Sequence, residues 1–317
     1  MNILFISNTS SRCGVNQYGK RLFEILSKME DISFVYFEVN EYKDYLNVIK
    51  NNYYDAILYN YHNGPMRWLN KDNIQKKTKN IGLQHDSPPD PYENVLFDIV
   101  LRLDVTLIED INKYNITRPI YENVNELIEK CYLSDNIKEF IEYKEDNVPI
   151  FGSFGFAGYI KNYEKIVEII NQQYDRAIIK IIMPKLEAIS DEVLTDINIG
   201  CNYKNVKPGI KLMITSEFID NYALLKFLGS NTLNIFLYDK VPYAGLSSVI
   251  DYALSVNRPI AVSDSNMYRH IYSDDICIYK RSVDYIINNS KEYLDYYRKL
   301  HSNENLREKI KNIIIHL

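Results

Sequence analysis

An α/β fold of two Rossmann-like domains facing a cleft is predicted by three features of this 317-residue sequence. The chain is longer than one hydrophobic core usually serves. Strand and helix patterns alternate from the first residues, the arrangement that builds a parallel sheet with crossover helices. The alternation restarts near Pro149, after a charged stretch from Glu142 to Asn147 that reads as a linker.

The first strand is Ile3 to Ile6, within an apolar run too short for a signal peptide core or a membrane span. Val15 to Met29 follows with helical periodicity through Leu22, Ile25 and Leu26. Ser33 to Phe37, Ala56 to Tyr59, Asn80 to Leu83 and Val105 to Ile108 read as the next strands. The second series opens with the apolar strand after Pro149 and a helical pattern from Tyr163 to Ile170. Ala177 to Ile182, Lys211 to Ile214, Leu233 to Tyr238 and Pro259 to Val262 continue it as strands. The expected domains are therefore residues 1–145 and 148–285, with a helical tail over 286–317. Ile286, Leu294, Leu300, Leu306, Ile310, Ile313 and Ile314 give that tail its apolar positions. It is either an ordinary packing element or a brace that crosses back to the first domain.

Composition limits the function. A chain that is 46% hydrophobic and 25% charged has enough apolar surface for two cores. Its 37 basic residues against 42 acidic ones argue against nucleic acid as the main partner. Cys13, Cys131, Cys201 and Cys277 form no C-x-x-C pair and have no histidine at ligand spacing, so neither a metal site nor a disulfide framework is expected. Reduced thiols and the lack of a leader pattern point to the cytoplasm, with peripheral membrane contact left open.

In open α/β sheets ligands bind beyond the carboxyl ends of the strands, so the residues just after each strand carry the chemistry. Four such places stand out. Gly14 lies between the first strand and the first helix, where it would let the backbone approach a ligand. His85 and Asp86 follow a short apolar strand and precede two prolines. An imidazole and a carboxylate there are placed to touch a substrate, although a turn-capping Asp beside an idle His has the same sequence.

Gly155, Lys161 and Asn162 form the third place, a glycine-bearing turn with a lysine at a helix start, which suits a diphosphate. The fourth is LYDKVPYAGLSSVIDYALSVNRPIAVSDS. Gly245 lies in a loop, a helix is expected to open at about Leu246, and Ser247 and Ser248 in its first turn would cradle an anion. Asp251, one turn on, would accept bonds from ribose hydroxyls.

The fourth stretch resembles the donor motif of the retaining GT-B glycosyltransferases, particularly the GT4-like group. Gly245, Leu246 and Ser247 match its loop, Asp251 stands for its second Glu, and NRPIAVSDS matches the turn and strand that follow. Gly14, the pair His85 and Asp86, and Lys161 resemble further signals of that group, in the same order along the chain. Tyr243 stands where the group's first Glu is expected.

The resemblance implies a GT-B glycosyltransferase, a hexosyl or related transferase, retaining and metal-independent. It would take a nucleotide-diphosphate sugar in the second domain and a glycan, lipid-linked or other hydroxyl acceptor in the first. It implies no cofactor. Lys161 would stabilise the departing diphosphate, and His85 would contact the sugar or position the acceptor. The alternative is a GT-B-like protein that binds a sugar nucleotide or a partner without turnover.

Overall fold

The computed structural model describes residues 1–9, 14–50, 52–85, 96–185, 189–202 and 206–316. They form two compact units, each built on its own parallel sheet. The first unit takes Met1–Pro119, Tyr243–Leu246 and His301–Leu317, and the second takes Ile120–Pro242 and Ser247–Leu300.

In the first unit β1 (Asn2–Ser7), β2 (Ser33–Glu38), β3 (Ala56–Tyr59), β4 (Lys79–Gln84), β5 (Ile99–Arg102) and β6 (Lys113–Asn115) lie in the order β2-β1-β3-β4-β5-β6. Successive side chains of a strand point to opposite faces, so a strand covered on both sides must be apolar throughout. In β1, Ile3 and Phe5 join one buried cluster while Leu4 and Ile6 join another. The first cluster receives Leu22 and Leu26 from helix Gly14–Leu26, and the second receives Tyr45 from helix Tyr42–Ile49.

In the second unit β7 (Ile150–Phe154), β8 (Ala177–Ile182), β9 (Ile210–Thr215), β10 (Leu233–Phe236) and β11 (Ile260–Val262) lie in the order β11-β10-β7-β8-β9. All pairings in both sheets are parallel. Each chain path moves to one side of its first strand and then returns to the other. The reversal falls between β1 and β3 in the first unit and between β7 and β10 in the second. Beyond the carboxyl ends of those pairs the flanking connections diverge and leave a crevice.

The sequence reading and the structure part company at four points. The segment 120–142, expected in the first domain, packs with the second unit. Ile120, Ile137, Phe140 and Ile141 are buried in that unit's cluster. Lys180, fully buried on β8, donates to the carbonyls of Ile141 and Tyr143 at 2.7 Å each.

Val105–Ile108 is a turn, and the strand there is β5. Asp104 accepts from the Thr106 backbone N–H at 3.0 Å and from its hydroxyl at 2.6 Å, which folds the chain back. The helix expected at Leu246 begins at Val249.

The tail divides. Helices Val283–Asn289 and Lys291–Leu300 stay with the second unit. Helix Asn303–Ile314 buries Leu306, Ile310, Ile313 and Ile314 in the first unit's cluster. Lys311 pairs with Asp31 at 2.6 Å and Lys309 with Glu109 at 2.9 Å. The brace to the first domain is therefore present. Among the described residues no helix is long and apolar enough to cross a membrane.

Candidate functional site

In the second unit the crevice is made by the turn after β7 and the residues after β10. Gly155 has φ 148°, a region that favours glycine, and a Cβ there would stand 2.8 Å from the Tyr238 hydroxyl. Its carbonyl accepts from the Tyr163 hydroxyl at 2.6 Å and its N–H donates to Ile182 at 3.1 Å. The short 3₁₀ turn Tyr159–Lys161 follows. Asn162, at φ 50°, donates its amide to the Leu237 carbonyl at 2.8 Å and to Asp239 at 2.7 Å. The Asp239 N–H returns a bond to Ile160 at 2.8 Å. These bonds sew the lysine-bearing turn onto the end of β10.

Lys161 is thereby held with its Nζ 3.6 Å above the ring of the buried Tyr238. The ring face attracts a cation but cannot neutralise it. Among the described residues no carboxylate pairs with this amine. Burial disfavours its charged form and lowers its pKa to about 7. A desolvated amine with no counter-charge among the described residues, at the reversal of a parallel sheet, has the chemistry to attract an anion. Beyond β7 and β9, the rings of Phe156 and Phe218 face one another at 6.5 Å and 21°, and Phe218 is half exposed. They offer a flat apolar surface in the same unit.

The other residues expected at the donor site fare differently. Asn162 spends its amide on the fold, as described. The Ser247 N–H is bonded to the Met267 carbonyl at 3.0 Å and is not offered to a ligand. Ser248 is exposed at the start of helix Val249–Ser255 and makes no capping bond. Asp251 is 1% exposed, so its carboxylate sits in the interior instead of on an open ligand surface. Gly245 and Leu246, expected with the donor domain, cluster with the first unit. A Cβ on Gly245 would approach the His85 carbonyl to 3.2 Å.

In the first unit the crevice side of the sheet gathers Ser7, Asn8, Asn60, Gln84 and His85 at the ends of β1, β3 and β4. The His85 ring meets the Asn60 amide oxygen at 2.6 Å through Nε2 and meets Tyr18 edge to face, with centroids 5.0 Å apart. Gly14 is the first residue of its helix, and a Cβ there would meet nothing within 4 Å. Asp86 lies outside the described residues. Among those residues no cluster of three or more His, Cys, Asp or Glu could hold a metal ion.

Asn60, Tyr238 and Phe218 were missed from sequence. Asn60 and Tyr238 do carry the signal of standing at the carboxyl end of an apolar strand, Asn60 at the end of AILYN and Tyr238 at the end of LNIFLY.

No family model matches the chain, and no curated protein matches it. Solved structures do. The chain is similar to Alr3699/HepE of Anabaena in complex with UDP and glucose, at 10% identity over 100% of both chains and TM-score 0.66. It is similar to the trehalose-6-phosphate synthase OtsA, at 11% identity over 100% of this chain and 99% of that one, TM-score 0.61. It is also similar to an alpha-glucosyltransferase in complex with UDP, at 12% identity over 100% and 99%, TM-score 0.59. At these identities the likeness shows a shared fold along the whole chain, the two-unit α/β fold called GT-B.

Proposed function

We propose that this protein is a glycosyltransferase that moves a sugar from a nucleotide-diphosphate donor to a hydroxyl of a glycan or lipid-linked acceptor, with retention of configuration and without a divalent ion. The observation that carries the reading is Lys161, an amine without a carboxylate partner among the described residues, at the sheet reversal of the second unit. As the bond to the anomeric carbon breaks, negative charge grows on the departing diphosphate. A fixed cation beside it lowers the barrier because it is already oriented and partly desolvated.

Ser248, exposed at its helix start, adds a hydroxyl on the donor side. The rings of Phe156 and Phe218 supply a stacking surface for the base. His85, at the end of β4, contacts the sugar or positions the acceptor hydroxyl. The fold it shares with proteins whose structures hold UDP supports a nucleotide-sugar donor.

The test is a thermal-shift panel of UDP-, GDP-, ADP-, CMP- and dTDP-sugars on the wild type and on Lys161→Ala, followed by donor hydrolysis with and without EDTA. One nucleotide class should raise the melting temperature of the wild type and not of the variant, and hydrolysis should survive the chelator. A panel without any shift would sink the reading.

A second reading, binding without turnover, is favoured by Tyr243. This bulky residue is 76% exposed, holds φ at 61°, and occupies the position where the resemblance expects a Glu. A thermal shift with no donor hydrolysis and no transfer would decide for it.

A further inference from the structure

Ile160, Lys161 and Asn162, in the turn after β7, are fixed to Leu237, Tyr238 and Asp239 at the end of β10. The Asp239 N–H donates to the Ile160 carbonyl at 2.8 Å. The Asn162 amide donates to the Leu237 carbonyl at 2.8 Å and to Asp239 Oδ1 at 2.7 Å. Between these bonds Lys161 meets Tyr238, with Nζ 3.6 Å from the ring centroid. Stitched on either side, the amine and the ring are held in one register.

The ring is itself fixed by packing. Tyr238 is buried and lies against the Tyr268 ring, with centroids 5.4 Å apart. A Cβ on Gly155 would meet the Tyr238 hydroxyl at 2.8 Å and Lys161 Cε at 3.7 Å, so the ring and the lysine stem share the space that the glycine leaves open. Burial pushes the phenols of Tyr163, Tyr238 and Tyr268 up, which keeps them uncharged at neutral pH. Of the carboxylates nearby, Asp239 accepts from Asn162, and Asp196 on helix Asp191–Asn202 accepts from the Tyr159 hydroxyl at 2.8 Å. Burial is what disfavours the charge on the amine. Among the described residues the ring face is what opposes it, because its quadrupole attracts a cation without cancelling the charge.

We propose that Tyr238 is a positioning residue for Lys161: its ring face holds the ammonium in place and in its charged form without neutralising it, so that the charge serves a diphosphate. The proposal rests on the reading of Lys161 as the cation beside the departing diphosphate. It adds what keeps that cation charged in a buried place. A carboxylate in the ring's position would hold the amine as firmly, but it would compete with the diphosphate for the same charge-assisted bonds.

The experiment is proton-carbon correlation NMR of the ¹³C-lysine-labelled full chain, titrated without ligand, with the Lys161 ε-methylene assigned through Lys161→Arg. Protons above an aromatic face are shielded, so the wild-type signal should lie upfield of the ordinary lysines. In Tyr238→Leu that displacement should vanish and the pH midpoint of the amine should fall by about one unit, the size of a desolvated cation–π contact. Tyr238→Phe keeps the ring and should keep both. A wild-type signal among the ordinary lysines would overturn the proposal, as would an unchanged midpoint in Tyr238→Leu. A fall in Tyr238→Phe as large as in Tyr238→Leu would overturn it too, since the hydroxyl would then be the operative group. The wild-type signal and Tyr238→Phe decide even where Tyr238→Leu fails to fold.

Calorimetry separates this inference from the reading beneath it. With UDP-glucose, or whichever sugar of the thermal-shift panel binds, Tyr238→Leu should bind about fivefold more weakly than the wild type at pH 7 and nearly equally at pH 5.5. A loss of the same size at both pH values overturns the role of the ring in holding the charge, while nucleotide binding by the wild type still stands. A wild type that binds no sugar of the panel overturns the nucleotide reading and the functional half of the proposal, and the titration still decides what the ring does to the amine.

Discussion

Raising the pH from 6 to 8 should weaken nucleotide-sugar binding by about tenfold, and the cause lies in the surroundings of Lys161. Its amine rests over the Tyr238 ring at 3.6 Å, and burial brings its pKa to about 7. An amine is charged below its pKa. With a value near 7, roughly nine-tenths of the molecules carry the charge at pH 6 and roughly one-tenth at pH 8. A diphosphate bound there would supply a counter-charge that no described residue gives, and would bind the protonated form. The tenfold loss corresponds to about 1.4 kcal/mol.

UDP-glucose is the suitable ligand, because its esterified diphosphate does not itself titrate between these pH values. Isothermal calorimetry in two buffers of different ionisation enthalpy should report uptake of roughly half a proton per ligand near pH 7. In Lys161→Arg the affinity should become flat over the same range, since a guanidinium stays charged. A wild-type affinity that does not change between pH 6 and pH 8, together with loss of binding in Lys161→Met, would refute the argument. The amine would then hold its charge despite its burial.

Other outcomes follow from the same geometry. Lys161→Met should raise the melting temperature near neutral pH: between the folded pKa of about 7 and the reference value of 10.5 the unfolded chain holds more protons, so wild-type stability rises with pH through that window and the variant lacks the slope. Gly155→Ala forces a Cβ to 2.8 Å from the Tyr238 hydroxyl at φ 148°, which should cost about 1–3 kcal/mol in denaturant unfolding and reduce nucleotide binding. Phe218→Ala should weaken nucleotide binding by about 1–3 kcal/mol in calorimetry while leaving the melting temperature nearly unchanged, because the ring is half exposed. Lys180→Met strips the donor from the Ile141 and Tyr143 carbonyls and should lower stability by about 1–3 kcal/mol in urea titration.

The regular part of the fold was legible because each central strand is an apolar run bounded by polar residues. Ile3 to Ile6, Ala56 to Tyr59 and Ala177 to Ile182 all appear as strands within a residue or so of where they were read. His85 and Gly155 were singled out because they directly follow such runs, and Lys161 because it stands at a helix start after a glycine-bearing turn. What stayed hidden depends on partners distant in sequence. Asn60 is tied to Val15, Ser7 and His85, which lie 45, 53 and 25 residues away.

The burial of Asp251 is equally invisible locally, since an Asp in the first turn of a helix normally reads as a solvated residue near the positive end of the dipole. The boundary near Pro119 was missed because Glu142 to Asn147 has linker composition, yet Lys180, fully buried, reaches back to hold it against the second sheet. Val105 to Ile108 has apolar content, but the Asp104 side chain turns the chain before a strand can form.

The helix Asn303–Ile314 has a consequence for how the molecule is made. It supplies part of the first unit's buried cluster from residues that are synthesised after the entire second unit, and its ion pairs span 280 and 200 residues. During translation the second unit can therefore close while the first still exposes the apolar strip that Leu306, Ile310, Ile313 and Ile314 will cover. Completion of the first unit waits on contacts that span most of the chain, which form slowly and leave apolar surface open to aggregation in the interval. A nascent chain arrested before residue 303 should bind chaperones through its first unit, although that unit has already been almost wholly translated.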